Sequence, residues 1–346
     1  MISLTIDGKP VSVQEGSSVL DAARSAGIPI PTLCHHPKLS AFGGCRLCIV
    51  RIEGIPRPVT SCTTPAAEGM VVTTASPEIT ALRKTVLELI LSDHPNDCMV
   101  CEGAGTCTLQ EYAYAFGLRD NPYPGERRQY EACDANPFIE RDMEKCIACG
   151  RCVKVCDEIQ GVAAINFTYR GFKTKICPAF ERELDCEFCG QCVQVCPTGA
   201  LTGKQWARTA RTLDVQKVRT VCGYCGVGCE VLLHVQNNRI IRVSAPDDGW
   251  NEGWLCVKGR FGYRFVDSPD RLTEPLIRKD GVLQPASWDE ALQLVADKLT
   301  AIKTQHGPDT IGGLSSARCT TEENYLFQKL MRAAIGTNNV DHCARL

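Results

Sequence analysis

The chain has 346 residues, a formal net charge of −2 and 23 cysteines. That length suits two or three domains, and the near-neutral charge leaves no electrostatic footprint for nucleic acid. Met1 runs straight into the strand pattern ISLTIDG with no export signal, and no apolar run reaches a membrane span, so the cysteines read as metal-binding thiolates of a reduced, cytoplasmic protein.

Residues 1–78 read as a β-rich domain. Ile2, Leu4 and Ile6 alternate, Asp7-Gly8 turns the chain, and Val11 and Val13 alternate again, which predicts a hairpin. Ser17 or Ser18 caps a short helix ending at Gly27. Cys34, Cys45, Cys48 and Cys62 follow as C-x10-C-x2-C-x13-C. Plant-type [2Fe–2S] ferredoxins use C-x4-C-x2-C and a distant fourth cysteine. The first gap is longer here, yet hairpin, helix and cysteine loop fit a ferredoxin-like [2Fe–2S] domain better than zinc. His35 and His36 invite a Rieske reading, which four available cysteines make unnecessary.

Residues 79–118 form the next segment. Ser76-Pro77 opens a helix with an apolar stripe of Leu82, Val86, Leu89 and Ile90 that stops near His94-Pro95. His94, Cys98, Cys101 and Cys107 then read H-x3-C-x2-C-x5-C, ligand spacing for a [4Fe–4S] cluster with one imidazole; Cys133 is the alternative fourth ligand. Residues 119–137, rich in Pro, Gly, Arg and Glu, read as a linker.

Within 138–206 stand CIACGRCVKVC and CEFCGQCVQVCP. Each is C-x2-C-x2-C-x3-C, the two-cluster ferredoxin run in which three cysteines hold one cubane and the fourth crosses to the other. On that rule Cys146, Cys149, Cys152 and Cys196 hold one [4Fe–4S] cluster, and Cys156, Cys186, Cys189 and Cys192 hold the other. Gly150 and Gly190 are expected where the backbone approaches a cluster with no Cβ in the way. Asp157 stands after Cys156 where the run usually has Pro, as Pro197 does after Cys196. Paired zinc sites are the alternative, and two copies of a four-cysteine run speak against them.

Residues 215–271 carry Cys222, Cys225, Cys229 and Cys256 as C-x2-C-x3-C-x26-C, a strand pair around Asn237-Asn238, and Lys258 just past the last cysteine. By spacing alone this quartet suits zinc or a cluster, and Lys258 a solvated surface. Over 272–346, Ser287 with Glu290 and Thr320 with Glu323 are capping boxes for two amphipathic helices, one carrying Leu292, Val295, Leu299 and Ile302, the other Leu326 and Leu330. With two strands at most, this reads as the opening of an α/β domain too small to close a core. Cys133, Cys177, Cys319 and Cys343 are left as structural.

This order of motifs resembles the iron–sulfur part of the catalytic (alpha) subunit of cytoplasmic NAD(P)-linked formate dehydrogenases, within the molybdopterin or tungstopterin oxidoreductases. The resemblance implies an α+β multidomain chain: a β-grasp [2Fe–2S] domain, a His/Cys-ligated [4Fe–4S] domain, a two-cluster ferredoxin domain, a [4Fe–4S] domain beside a Mo- or W-bis(pterin guanine dinucleotide), and the start of a molybdopterin oxidoreductase domain. It makes Cys222, Cys225, Cys229 and Cys256 ligands of the cluster nearest the pterin, and Lys258 the electron relay between them. It also implies partners: an FMN- and NAD(P)-binding iron–sulfur subunit and a small [2Fe–2S] subunit. In that family the segment similar to GTNNVDHCARL precedes the metal-binding selenocysteine or cysteine. A UGA codon read as a stop after Leu346 is therefore expected, with a shorter electron-transfer subunit or a fragment as alternatives. These 346 residues alone are expected not to oxidise formate. The first modules also resemble [FeFe] hydrogenases and complex I. The 222–258 motif and SARCTTEEN speak against the hydrogenase, and the doubled ferredoxin run is expected to be missing from complex I. A stand-alone electron carrier or adaptor is the non-enzyme alternative.

Overall fold

The computed structural model describes residues 1–346 apart from 121, 124, 131–134, 207–213 and 344–346. Cys133, parts of the 119–137 linker and Leu346 lie outside the described residues. The chain forms two compact units, Met1–Val215 and Gln216–Leu346.

In the first unit β1 (Ile2–Ile6) and β2 (Lys9–Val13) pair antiparallel around Asp7-Gly8, both with positive φ, as a tight hairpin turn requires. Ser18 and Asp21 close a reciprocal capping box on α1 (Val19–Ser25), so Ser18 rather than Ser17 is the cap. With β3 (Ile49–Ile52), β4 (Val59–Thr60) and β5 (Val71–Thr73), the sheet runs β2-β1-β5-β3-β4, β1 and β5 being parallel. Its core packs Leu4, Ile6, Leu20, Val50 and Val72 with Cys48 and Cys62.

Ser76 caps α2 (Pro77–Ser92), as expected. Its buried positions are Ile79, Arg83 and Leu87; of the predicted stripe Val86 and Ile90 pack beside Leu87, while Leu82 and Leu89 are exposed. Arg83 takes the inner face because it donates to the Leu47 carbonyl at 3.1 Å and the Ile49 carbonyl at 2.8 Å, close to Cys48. Leu87 joins Leu33, Leu47 and residues of α3 (Thr108–Ala115) in a second core, against which Cys45 and Cys107 pack.

The ferredoxin run lies between β6 (Ile139–Arg141) and β9 (Leu201–Gly203), an antiparallel pair. Each half has a four-residue helix, α4 (Arg151–Lys154) and α5 (Gln191–Gln194), and β7 (Asn166–Thr168) pairs with β8 (Lys175–Cys177) between them. After α4 the chain continues into a π-helical turn, Val155–Ile159, through Cys156 and Asp157. After α5 it stops at Cys196-Pro197, where proline lacks the N–H and clashes with the preceding turn.

In the second unit β10 (Gln216–Val221), β11 (Glu230–Gln236) and β12 (Arg239–Ser244) form an antiparallel sheet, with Asn237 and Asn238 at positive φ in the expected turn. Val231, Val243, Ala245, Leu255 and Tyr263 form its core behind α6 (Val257–Phe261). Next come the hairpin β13 (Leu276–Lys279) with β14 (Val282–Pro285), α7 (Trp288–His306), β15 (Gly313–Ser315), α8 (Thr321–Lys329) and β16 (Val340–His342), parallel to β15. Thr320 and Glu323 form the predicted box. Ser287 caps α7, but the Glu290 carboxylate turns to Lys279 Nζ at 2.7 Å. Leu292, Val295, Ile302, Leu326 and Leu330 are exposed, and only Leu299 of the first stripe packs against the small core of Ile311, Met331 and Ile335.

Candidate metal centres

The first cysteine quartet sorts into two pairs. Cys48 and Cys62 bring their sulfurs to 3.3 Å, and Cys34 and Cys45 share a second thiol contact, with the Cys45 N–H 3.5 Å from the Cys34 sulfur. Within each pair the shared contact favours one thiolate: Cys45 is pushed down to about 5 beside Cys34, and Cys48 to about 7 beside Cys62. Their partners Cys34 and Cys62 are pushed up by the same contacts and by burial. Two pairs suit two irons with two thiolates each. His35 Nδ1 is engaged by Arg24 at 3.1 Å and His36 Nδ1 accepts the Lys38 amide at 3.3 Å, so both rings have other partners on that nitrogen.

His94 sits just past the C-cap of α2. Its Nδ1 faces the Pro95 carbonyl at 2.9 Å, and a carbonyl can only accept, so Nδ1 carries the proton. Nε2 is left as a lone pair, buried and without a partner. Burial lowers the pKa of His94, which keeps the ring neutral. Such a nitrogen fits a metal ligand whose other ring nitrogen is fixed by backbone. Cys101 accepts the Gly103 N–H and Cys107 the Gln110 N–H, both at 3.4 Å. Lys145 bridges Asp97 at 3.1 Å and Asp142 at 2.8 Å, and its charge reaches both His94 and Cys101.

All eight cysteines of the ferredoxin run line one apolar void. Burial pushes Cys146 up to about 11, and Cys149 and Cys192 to about 12. Backbone N–H groups point at the sulfurs: Ala148 to Cys146 at 3.4 Å, Phe188 to Cys186 and Ala164 to Cys156 at 3.3 Å. Such donors stabilise added negative charge on bound sulfur. Gly150 and Gly190 have φ of 75° and 72°. Both glycines line the eight-cysteine void, and a Cβ on Gly150 would also meet the Phe167 ring at 3.0 Å, so that glycine serves a left-handed helix entry and ring packing as well. Cys177 is buried beside the Thr168 hydroxyl at 3.0 Å and does not line the void.

In the second unit Cys222, Cys225, Cys229 and Cys256 line a cavity of about 270 Å³ together with Lys258 and Arg318. The Cys222 N–H donates to the Cys229 carbonyl at 2.8 Å, and Gly226 N–H to the Ala317 carbonyl at 2.8 Å, which ties the cysteine loop to the segment before Cys319. Cys343 is exposed, 3.7 Å from the Ser316 hydroxyl. Among the described residues no three His, Cys, Asp or Glu side chains close around a single ion. Thiolates on separate corners of a cluster stand farther apart than ligands drawn to about 2.3 Å around one zinc. Sequence reasoning missed Arg83, Lys145, Arg151 and Gly199; only the Arg151/Gln191 difference between the two repeat halves was open to it.

Fold and sites together define a multidomain chain of ferredoxin type whose cysteine quartets suit iron–sulfur clusters. Domain families match in the same order: the 2Fe-2S iron-sulfur cluster binding domain over 1–77, the NADH-ubiquinone oxidoreductase-G iron-sulfur binding region over 83–122, the NADH-quinone oxidoreductase subunit 3 ferredoxin-like domain over 136–202, the molybdopterin oxidoreductase Fe4S4 domain over 215–268, and molybdopterin oxidoreductase over 271–346. The NADPH-Fe(3+) oxidoreductase subunit alpha of Geobacter sulfurreducens is 44% identical over 346 residues, all of this chain and 40% of the relative. A G-type subunit of NADH-quinone oxidoreductase, the one numbered 2 in Rhizobium meliloti, is 39% identical over 349 residues, again 100% of this chain and 40% of the relative. A chain of the crystal structure of NAD+-reducing [NiFe]-hydrogenase in the H2-reduced state is 32% identical with a TM-score of 0.57, covering 61% of this chain and 90% of that one. The chain thus combines ferredoxin-type iron–sulfur domains with the start of a molybdopterin oxidoreductase domain, and is similar over its whole length to the G-type subunit of NADH-quinone oxidoreductase. It spans about 40% of the length of the curated relatives it matches. The doubled ferredoxin run therefore does not separate it from the respiratory subunit, whose own ferredoxin-like domain family covers that run.

Proposed function

We propose that the chain is the iron–sulfur portion of the alpha subunit of an NAD(P)-linked formate dehydrogenase, conducting electrons between a molybdopterin or tungstopterin centre and a flavin-bearing, NAD(P)-binding partner. Cys34, Cys45, Cys48 and Cys62 hold a [2Fe–2S] cluster. His94, Cys98, Cys101 and Cys107 hold a [4Fe–4S] cluster, as do each of the two ferredoxin quartets and Cys222, Cys225, Cys229 and Cys256. Bound there, the clusters supply one-electron redox chemistry, and a pterin-bound metal supplies the two-electron chemistry at the far end. The polypeptide contributes thiolates, one neutral imidazole, N–H donors to sulfur and a dry surround.

The observation that carries the reading is the cavity shared by the last quartet with Lys258, in the segment that matches the molybdopterin oxidoreductase Fe4S4 domain and directly precedes the molybdopterin oxidoreductase match. Formate itself rests on the resemblance of the 222–258 motif and of SARCTTEEN. A second reading, NADPH oxidation with delivery to another acceptor, is favoured by the name of the 44% identical Geobacter relative. The intact protein with its flavin partner separates them: formate-dependent dye reduction supports the first, and NADPH-dependent dye reduction without response to formate supports the second. For the clusters, anaerobic reconstitution should give about eighteen irons per chain with matching acid-labile sulfide; zinc without sulfide would refute the assignment. Lys258→Met should leave that iron count unchanged and slow formate-driven reduction.

A further inference from the structure

The two halves of the ferredoxin run differ in charge at four equivalent positions, Ile147 against Glu187, Arg151 against Gln191, Lys154 against Gln194 and Asp157 against Pro197; of these, Arg151 reaches furthest into the neighbouring cysteine loops. Arg151 and Gln191 each open a four-residue helix behind a left-handed glycine, so the backbone places them alike. The Arg151 guanidinium spans two cysteine loops. Nη2 donates to the carbonyl of His35 at 2.6 Å, and Nη1 to that of Val195 at 3.5 Å. His35 follows Cys34, and Val195 precedes Cys196.

Arg151 Nε is buried with no hydrogen-bond partner. Two carbonyls satisfy donors but bring no negative charge, and a guanidinium in such a place needs a counter-charge. The thiolates are at hand: Arg151 donates its backbone N–H to Cys149, and its charge favours the Cys149 thiolate. Arg128 and Arg141 act on Cys146 of the same centre in the same sense; the other half differs. Gln191 is buried and neutral, and the charges acting on Cys186 and Cys192 are fellow cysteines and Asp185, which oppose further negative charge.

We propose that Arg151 is a positioning residue that holds the Cys146, Cys149, Cys152 and Cys196 centre at a higher reduction potential than its twin and couples it to the Cys34–Cys62 centre. This rests on the cluster-binding reading above. Accepting one electron makes a cluster more negative by one charge; a guanidinium favours that change and a neighbouring carboxylate resists it. The repeat thus encodes two unlike centres, the first being where an electron settles.

The test uses the whole chain, reconstituted anaerobically with iron and sulfide and titrated with dithionite under EPR. Iron and sulfide are counted first, since missing clusters would refute the binding reading itself. With clusters present, the two ferredoxin-type signals should have separate midpoints, and Cys189→Ala should remove the lower one. Arg151→Gln removes the guanidinium that spans the two cysteine loops and should bring the upper midpoint down toward the lower, together with that of the [2Fe–2S] signal, while Arg151→Lys keeps the charge and holds it. The proposal is overturned if the wild-type signals titrate together, if Cys189→Ala removes the higher one, or if Arg151→Gln moves no midpoint. Should Arg151→Gln lose iron, the wild-type and Cys189→Ala titrations still decide.

Discussion

Gly199 and Cys101 meet so closely that a Cβ on Gly199 would stand 2.5 Å from the Cys101 sulfur. On the other side Gly103 approaches Gly199 backbone to backbone, where a Cβ on Gly103 would be 2.9 Å from the Gly199 Cα. Thr108 N–H donating to the Pro197 carbonyl at 2.9 Å fastens the same two loops. The three-cysteine loop and the ferredoxin loop are thereby held against each other.

Gly199→Ala cannot be absorbed by a flexible side-chain end, because the contact is a candidate ligand sulfur with backbone behind it. Overpacking of this kind costs about 1–3 kcal/mol. The expected outcome is a lower melting temperature and a loss of about four irons from the reconstituted chain. The [2Fe–2S] EPR signal should survive, since the added Cβ meets Cys101 and Gly103 rather than Cys34, Cys45, Cys48 or Cys62. Full iron content in the variant would show that the loop contact does not position Cys101.

The orphaned Nε2 of His94 makes a second prediction. His94→Ala removes the buried lone pair, and the reconstituted protein should again lose about four irons. His94→Cys should restore them, but a thiolate in place of a neutral imidazole makes the cluster more negative. Its midpoint in an EPR titration should fall relative to wild type. Unchanged iron in His94→Ala would move the fourth ligand elsewhere, with Cys133 the sequence alternative.

The cysteine runs were legible because ligand spacing is a local property: the chemistry needs those residues within one loop. The hairpin turns at Asp7-Gly8 and Asn237-Asn238, and the caps at Ser18, Ser76 and Thr320, were legible for the same reason. What escaped depends on partners far along the chain. Apolar spacing put Leu82 and Leu89 on the inner face of α2, but two carbonyls more than thirty residues away recruit Arg83 there instead. Gly199 reads as a turn residue until Cys101 is beside it. The expectation for Gly150 missed one neighbour, since a Cβ there would also meet the Phe167 ring.

His234, buried in the second unit, gives a pH prediction. Its Nδ1 accepts from Arg242 Nε at 3.2 Å, and Nε2 faces the Ser244 hydroxyl at 2.8 Å. Burial, then the charges of Arg242 and Lys217, push it down to about 3. The unfolded chain therefore binds a proton below about 6.5 that the folded chain refuses. Stability from this group is complete above that pH and is lost as pH falls toward 3, by roughly 1 kcal/mol per pH unit. Chemical unfolding followed from pH 7 to pH 4 should show this slope, and His234→Gln should flatten it. An equal slope in the variant would assign the loss to other groups.

Arg83 is the last case, because its position argues two effects that can be measured apart. Its guanidinium is buried, held by the Leu47 and Ile49 carbonyls on either side of Cys48, and burial lowers its pKa while the Cys48 charge works the other way. Arg83→Met keeps the apolar stem but strands two buried carbonyls, a loss of about 1–3 kcal/mol for each acceptor left unpaired. It also removes a positive charge beside Cys48, so the [2Fe–2S] midpoint should fall. Arg83→Lys restores the charge without the fork that reaches both carbonyls. It should recover most of the midpoint and only part of the stability. If lysine rescued the two in equal measure, the separation between charge and backbone support drawn from this geometry would be wrong.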